Sequence, residues 1–179
     1  VTIKQQFFLL SVFDMDINRI EFVDFADGTQ WTYQYIKQHL LDITSTAGND
    51  TINGYLFSDD TINGGDGDDY IDGLSGTDTI IGGKGNDILA NYGQLNDTGN
   101  TTYIHNLGDG IDTIREGGFA GTDTLKLTGA SLTSTGVTVT RSADLMSATL
   151  SFAGVTDKII LDNQFGPYGA GVENITFSN

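Results

Sequence analysis

The sequence contains no cysteine and only one proline in 179 residues. The absence of cysteine excludes disulfides and thiolate metal sites. Glycine, by contrast, occurs 24 times, and many glycines with almost no proline indicate a repeated need for unusual backbone angles rather than a disordered linker. A chain of this size without disulfides needs another source of stability, and a bound metal is one of the few that remain.

Basic residues are also scarce, because 8 Lys and Arg stand against 24 Asp and Glu, for a formal net charge of −16. Such an acidic chain repels nucleic acids and anionic membranes, so neither is expected as a partner. No run of 18 apolar residues occurs, and we expect no membrane span. The apolar run at 7–10 is too short for a signal peptide and is expected to be a buried strand.

The most regular part of the chain is 64–90, which reads GGDGDDYID, GLSGTDTII and GGKGNDILA without interruption. Each nine-residue unit has Gly at positions 1 and 4, Asp at position 6 and an apolar residue at position 8. Weaker units extend the array to eight, between residues 45 and 126, as is typical of repeat arrays with irregular ends. The departures from the pattern are the extra residue Gly54, Ser58 at position 4, an insertion at 91–95 and Thr101 at position 6.

A nine-residue unit can form a six-residue turn and a three-residue strand, so two units would complete one coil with strands on opposite sheets. Glycine suits turn positions that need positive φ or close backbone packing. The position-8 side chains would point inward and stack, because one unit alone cannot bury its apolar face. The predicted core is Ile52, Ile62, Ile71, Ile80, Leu89, Tyr103, Ile114 and Leu125. The sequence therefore predicts an all-β fold, a parallel β-roll.

Stacking would place the position-6 carboxylates of units n and n+2 side by side, where they repel or raise each other's pKa. Ca²⁺ between them would take anionic oxygens from the Asp pair and the rest of its 6–8 ligands from turn carbonyls. Mg²⁺ suits such a turn poorly, and the two widely separated histidines and missing cysteines disfavour Zn²⁺. A solvated acidic surface is the plain alternative, but the fixed repeat position of Asp favours binding of several Ca²⁺ ions.

The predicted carboxylate pairs are Asp50 with Asp69, Asp60 with Asp78 and Asp69 with Asp87. Asp87 would also meet Asp112 if the insertion loops out, while Thr101 interrupts the opposite side. Side chains at positions 3 and 5 are expected to assist. The candidate metal-site residues are Asp50, Asp60, Gly64, Asp66, Gly67, Asp69, Gly73, Gly76, Asp78, Gly82, Gly85, Asn86, Asp87, Asp112 and Asp123.

The flanks of the array are expected to cap it. Residues 1–44 would contain strands and a short helix over 32–41, with Thr32 as its N-cap. Residues 127–179 would form a C-terminal β cap from antiparallel strands. Those strands are expected at 136–142, 148–154 and 158–165. The aromatic residues Trp31, Tyr33 and Tyr35 favour capping of the array end over a ligand platform.

A second, longer repeat relates the two flanks. Residues 20–27 (IEFVDFAD) match residues 172–179 (VENITFSN), at an offset of 152. We expect the chain to be one period of a longer multi-block protein, and a pseudo-symmetric pair of caps in one domain is the alternative.

Residues 64–90 resemble the RTX, or hemolysin-type, calcium-binding repeats, and residues 100–114 and 20–31 resemble segments that flank RTX arrays. The resemblance implies a right-handed β-roll that stays unfolded in the calcium-poor cytosol and folds outside the cell. It also implies export by a type I secretion system through an uncleaved C-terminal signal on the parent protein. The expected function is that of a structural, calcium-dependent folding block in a large secreted toxin, adhesin or enzyme, next to other RTX blocks.

Two other functions compete with this one. An enzyme is not expected, since no GxSxG or HExxH motif occurs and the only histidines are His39 and His105. A surface-, polysaccharide- or ice-binding module is the alternative, because Thr51, Thr61 and Thr79 share position 7. That column is irregular, and Thr is a common strand residue in any case.

Overall fold

The computed structural model describes residues 2–3, 22–92, 99–117, 121–129, 132–166 and 171–178. The chain divides into two compact bodies, an N-terminal body of residues 1–40 and a repeat body of residues 41–179. The strand predicted at 7–10 lies outside the described residues. The predicted domain boundaries at 44 and 126 stay predictions.

The N-terminal body contains a three-stranded antiparallel sheet in the order β1 (Thr2–Ile3), β2 (Phe22–Asp24), β3 (Gln30–Thr32). The turn between β2 and β3 contains Gly28, whose φ of 88° is costly for other residues. Helix α1 (Tyr33–Thr44) follows β3 directly. The Thr32 hydroxyl accepts a hydrogen bond from the Tyr35 amide at 3.2 Å, as an N-cap does, and the helix ends three residues beyond the predicted 32–41.

In the repeat body, eight consecutive strands alternate between two parallel sheets. They are β4 (Thr51–Asn53), β5 (Thr61–Asp66), β6 (Tyr70–Asp72), β7 (Thr79–Lys84), β8 (Ile88–Asn91), β9 (Thr102–Asn106), β10 (Ile111–Glu116) and β11 (Thr124–Thr128). Each strand pairs in parallel with the strand two places along the chain. Units n and n+2 are therefore neighbours, as the nine-residue period predicts.

The C-terminal segment extends both sheets. After a short 3₁₀ turn at Ser134–Gly136, strands β12 (Val137–Arg141), β13 (Ala148–Phe152) and β14 (Lys158–Asp162) are antiparallel to one another. The outcome adds to the prediction of an antiparallel cap, because β14 also pairs in parallel with β10 and continues that sheet. Strand β15 (Asn174–Ser178) pairs in parallel with β11 and continues the other sheet.

The core confirms the position-8 prediction. All eight predicted side chains are buried to 1% exposure or less and belong to one apolar cluster. The pairing register stacks Ile71 on Ile52 in one sheet and Ile80 on Ile62 in the other. Because every unit contributes one inward residue, the core is continuous along both sheets, and each coil depends on its neighbours for burial.

Candidate metal centre

The position-6 Asp residues of the seven-stranded sheet form a column of four, Asp50, Asp69, Asp87 and Asp112. Each carboxylate after Asp50 accepts a hydrogen bond from the backbone amide of the previous member. Oδ1 of Asp69 lies 2.8 Å from the Asp50 amide, Oδ1 of Asp87 lies 2.8 Å from the Asp69 amide, and Oδ1 of Asp112 lies 3.1 Å from the Asp87 amide. The structure therefore brings the predicted n and n+2 partners together and places Asp112 after Asp87 despite the insertion.

The five-stranded sheet has a second column with one gap. The Asp60 amide donates to Asp78 Oδ1 at 2.9 Å, and the Thr101 amide donates to Asp123 Oδ1 at 2.7 Å. Thr101 takes the place of an Asp between Asp78 and Asp123, because Thr102 pairs with Thr79. A buried Asn91 amide group donates to the Thr101 hydroxyl at 2.8 Å. The array therefore has a long acidic column on one side and an interrupted one on the other.

The position-1 glycines lie against the position-6 carboxylates of their own turns. A Cβ added to Gly64 would come within 2.2 Å of Asp69 Oδ2 and 2.4 Å of the Gly82 carbonyl oxygen. The same contact to Asp87 Oδ2 at Gly82 would be 2.3 Å. Glycine is required here because any side chain would overlap these oxygens. Because glycine has no Cβ, the Asp69 carboxylate oxygen and the Gly82 carbonyl oxygen of the next coil can both lie close to the space next to Gly64.

Gly54 has the same role in the second unit, where a Cβ would lie 2.9 Å from Asp60 Oδ2 and 2.5 Å from the Gly73 carbonyl. In the sequence Gly54 looks like an extra residue before the unit 55–63. The structure places it at position 1 of that unit, so the additional residue lies in the turn that follows, where Phe57 adopts a φ of 58°.

The position-4 glycines allow adjacent turns to stack closely. Gly85 has a φ of 144°, and its missing Cβ would lie 2.0 Å from the Gly67 carbonyl oxygen of the coil before. Gly76 makes the same approach to the Ser58 carbonyl, at 2.1 Å. Ser58 belongs to the first coil and has no preceding coil to stack on, so a side chain is compatible with position 4 there. Gly76 and Gly85 stack on a preceding coil and have no room for a side chain.

Charge is concentrated and poorly compensated in the first column. Asp69 and Asp87 are buried, and the Oδ2 atom of each has no hydrogen-bond partner among the described residues. Burial, reinforced by the carboxylates of Asp112, Asp69 and Asp68, raises the pKa of Asp87 to about 7. Burial also raises the pKa of Asp69. A site of this kind favours either a proton or a cation next to the carboxylates.

Asp66, Asp68 and Asn86, at positions 3 and 5, are exposed, unlike the buried carboxylates at position 6. Asp66 is exposed and faces Lys84, with Oδ1 at 3.5 Å from Nζ. At position 5, Asn49 Oδ1 accepts from the Asp68 amide and Asp68 Oδ1 accepts from the Asn86 amide, at 2.9 and 2.8 Å. This outer ladder runs in the opposite direction to the Asp column, since each side chain accepts from the coil after it. Asp66 and Asn86 therefore have protein partners on the rim of the turns.

The sequence did not indicate one buried pair at the end of the first column. His105 Nδ1 lies 2.7 Å from Asp112 Oδ2, and its ring stacks on Phe152 at 5.7 Å between centroids. The available signal was the position of His105, two residues after Tyr103 and therefore on the same inward face of β9. Tyr103 itself donates its hydroxyl to Glu116 Oε1, and burial raises the pKa of Tyr103 well above its usual range.

Within the described ranges, no three His, Asp or Glu side chains lie together in a group that could hold a metal ion on their own. A hard cation at this site would therefore have to combine two carboxylates with backbone carbonyls, as Ca²⁺ does in protein turns. The convergence of Asp69 Oδ2 and the Gly82 carbonyl next to Gly64 supplies both ligand types.

The fold and these turns define a parallel β repeat protein with acidic, glycine-rich turns. Residues 42–56 and 57–89 match the model of the RTX calcium-binding nonapeptide repeat, in four copies. Residues 42–89 therefore match the repeat that the sequence resembles, which confirms the resemblance over this part of the chain. A comparison with curated proteins finds no match to the chain. In the part of the chain that the structure describes, no helix has the length and apolar character needed to cross a membrane.

Proposed function

We propose that the chain is a right-handed parallel β-roll module that binds several Ca²⁺ ions in its turns and folds when they bind. The observation that carries the proposal is the column of position-6 carboxylates in register, with buried Oδ2 atoms of Asp69 and Asp87 that lack hydrogen-bond partners in the described residues. Two parallel sheets with alternating strands supply the walls that a roll requires.

The Asp columns would hold the ions. Asp69 and Asp87 form the central pair, with Asp50 and Asp112 extending the same column. Position-1 carbonyls such as that of Gly82 would complete the oxygen set. Bound Ca²⁺ supplies positive charge that cancels the repulsion between stacked carboxylates. The protein's own part is to hold the carboxylates in register by amide hydrogen bonds in the folded, calcium-bound chain.

Calcium binding and folding would be one process. Extracellular calcium modules bind at about 10⁻⁴–10⁻³ M. A ligand that binds only the folded state stabilises it by RT ln(1 + [L]/Kd) at each site, and several sites together can reach several kcal/mol, similar to the net stability of a domain. In the absence of Ca²⁺ the buried carboxylates oppose folding, so the same residues would keep the chain unfolded where Ca²⁺ is low.

The match of residues 42–56 and 57–89 to the RTX repeat model supports the wider role. We propose that the module is secreted, that a type I system exports its parent protein, and that it acts as a structural block beside other RTX blocks of a toxin, adhesin or enzyme. Its acidic surface, with a net charge of −16, suits an extracellular medium with millimolar Ca²⁺ better than contact with nucleic acid.

Circular dichroism of the chain in EGTA and in millimolar Ca²⁺ tests the proposal. We expect the β spectrum only with Ca²⁺, and we expect Asp87→Asn to shift the Ca²⁺ midpoint to higher concentration. Asp42→Asn removes the same charge from helix α1 and serves as the matched control, with an unchanged midpoint. A β spectrum that is identical in EGTA and in Ca²⁺ would exclude calcium-driven folding.

A surface-binding function is the second candidate, and one observation favours it. In the five-stranded sheet, position 7 is Thr in four consecutive strands, with Thr61, Thr79, Thr102 and Thr124 in register. The seven-stranded sheet has Tyr70 and Ile88 in this column, so the regular face is confined to one side.

Thermal hysteresis and retention on immobilised polysaccharides test this candidate on the calcium-loaded chain. The double substitution Thr79→Tyr with Thr102→Tyr would interrupt the column of Thr side chains and should abolish binding. Thr51→Tyr, on the other sheet, should not. A folded chain that neither binds ice nor is retained on polysaccharide would rule out the candidate.

A further inference from the structure

Two large apolar side chains are exposed on β15, the last described strand of the five-stranded sheet. Ile175 and Phe177 of β15 pair with Leu125 and Leu127 of β11, which are fully buried. Ile175 and Phe177 themselves are 38% and 37% exposed. Among the described strands, β15 has a neighbour on one edge only. An exposed edge strand that carries two large apolar side chains is a ready template for another strand.

The corresponding segment of the N-terminal body shows what such an edge accepts. By the internal repeat of the sequence, Val23 and Phe25 correspond to Ile175 and Phe177. Val23 lies opposite Trp31 in the β2–β3 ladder, and the Phe25 and Trp31 rings are 4.8 Å apart. Both Val23 and Phe25 are half-buried as a result.

Helix α1 completes that arrangement. Trp31 also contacts the Tyr35 ring at 5.0 Å and the His39 ring at 5.4 Å between centroids. The covering element is therefore a strand with a central tryptophan, followed at once by a helix that holds the tryptophan in place. Strand β2 is paired on both edges, whereas β15 has its second edge free of any described strand.

We propose that the outer edge of β15 is a docking site for a strand–helix element of the type formed by residues 28–44, whose tryptophan covers Ile175 and Phe177. The pairing would be antiparallel, in the register that joins Val23 to Trp31. This inference rests on the proposed function, in which the module stands beside other blocks, and it specifies how the next block joins. The docked element would extend the five-stranded sheet and cover these two exposed side chains.

The site can be tested with the chain extended after Asn179 by a second copy of residues 28–44 (GTQWTYQYIKQHLLDIT). The extension begins at Gly28 because Asn179 matches Asp27 in the sequence repeat. Trp31 is the only tryptophan of the chain, so Trp31→Phe makes the added residue the only tryptophan, which can be excited selectively over tyrosine. We expect a blue-shifted emission, several-fold weaker quenching by acrylamide, and slower amide exchange in β15 than in the unextended chain.

Two controls keep the test specific. An extension of the same composition in scrambled order should leave its tryptophan exposed. Ile175→Thr with Phe177→Thr removes the apolar surface but keeps strand propensity, and the added tryptophan should then become accessible to acrylamide. The proposal would be overturned if the added tryptophan were accessible to acrylamide in the extended chain. It would also be overturned if the tryptophan stayed inaccessible after the two threonine substitutions.

The calcium response is measured separately, so that the two hypotheses can fail independently. Circular dichroism of the unextended chain in EGTA and Ca²⁺ reports on calcium-driven folding. Tryptophan accessibility is read in whichever of the two conditions gives the β spectrum. Docking with no calcium response would contradict only the proposed function, and a calcium response without docking would contradict only the edge site.

Discussion

His105 Nδ1 lies 2.7 Å from Asp112 Oδ2, and both side chains are buried. Oδ1 of the same carboxylate accepts a hydrogen bond from the Asp87 backbone amide, so both oxygens of Asp112 have protein partners. This distinguishes Asp112 from Asp69 and Asp87, which each keep one buried oxygen without a hydrogen bond in the described residues. The register places Ile159 next, where an acid would continue the column. The long Asp column therefore ends on an internal His–Asp pair.

Removal of the His105 donor should destabilise this end of the column. His105→Leu keeps much of the volume but leaves Asp112 Oδ2 buried without a partner, which costs about 1–3 kcal/mol. His105→Gln retains a donor and should lose less, although it also loses the stack on Phe152. Urea unfolding in saturating Ca²⁺ measures both variants. Equal losses for Leu and Gln would show that packing, and not the hydrogen bond, accounts for the effect.

The position-1 glycine should be intolerant of a single methyl group. In Gly64→Ala the new Cβ meets Asp69 Oδ2 at 2.2 Å and the Gly82 carbonyl at 2.4 Å, so the turn must move. We expect a loss of at least about 1–3 kcal/mol in the free energy of unfolding and a weaker Ca²⁺ response. Gly48→Ala is the matched control, because its nearest atom would be 3.7 Å away. A Gly64→Ala variant as stable as Gly48→Ala would contradict the geometry described for the turn.

Stability in the absence of Ca²⁺ should fall as the pH rises. Asp87 has a pKa raised by burial to about 7, and burial raises that of Asp69 as well. An unfolded Asp titrates near pH 4, so between about pH 4 and pH 7 the folded chain holds a proton that the unfolded chain has lost. This contribution to stability is complete at the acidic end and is lost as the pH passes through the folded pKa.

The β signal in circular dichroism, followed in EGTA across that pH range, checks the sign, because the metal-free chain should regain β structure toward pH 4, and Asp87→Asn should flatten this dependence. With Ca²⁺ present the dependence should reverse, since protons compete with the ion for the same carboxylate and the apparent affinity falls below about pH 7. A metal-free chain that gains stability between pH 4 and pH 7 would show that the carboxylates are not destabilising when ionised.

Filling the gap in the second column should create a further site. Thr101→Asp places a carboxylate between Asp78 and Asp123. The hydrogen bond from the Thr101 backbone amide to Asp123 Oδ1 already sets the register. Because Thr101 is fully buried, the new charge should destabilise the metal-free folded state and increase the number of Ca²⁺ ions bound when Ca²⁺ is present. Calorimetric titration gives the stoichiometry. Thr101→Asn matches the shape without the charge, and a stoichiometry equal for Asp and Asn would argue against ligation at position 6.

The sequence alone was enough for the periodic part of this protein. A nine-residue period with Gly, Gly, Asp and an apolar residue at set positions predicts alternating strands, neighbours at n and n+2, and a core of position-8 side chains. The structure has all three, for example in the stack of Ile71 on Ile52 and in the hydrogen bond from the Asp69 backbone amide to Asp87 Oδ1. Periodicity is informative because each unit repeats the same local interactions, so one unit predicts the environment of the next.

Only the tertiary structure decided what happens where the period fails. In the structure Gly54 lies at position 1 of its unit, and β14 and β15 pair with β10 and β11 in the two sheets. His105 is hydrogen-bonded to Asp112, seven residues further along the chain. These outcomes depend on which distant strands pair and in what register, and no local pattern encodes that choice once the repeat has ended. The irregular units of the array and its C-terminal flank therefore carry the features that the sequence did not indicate, including the exposed Ile175 and Phe177.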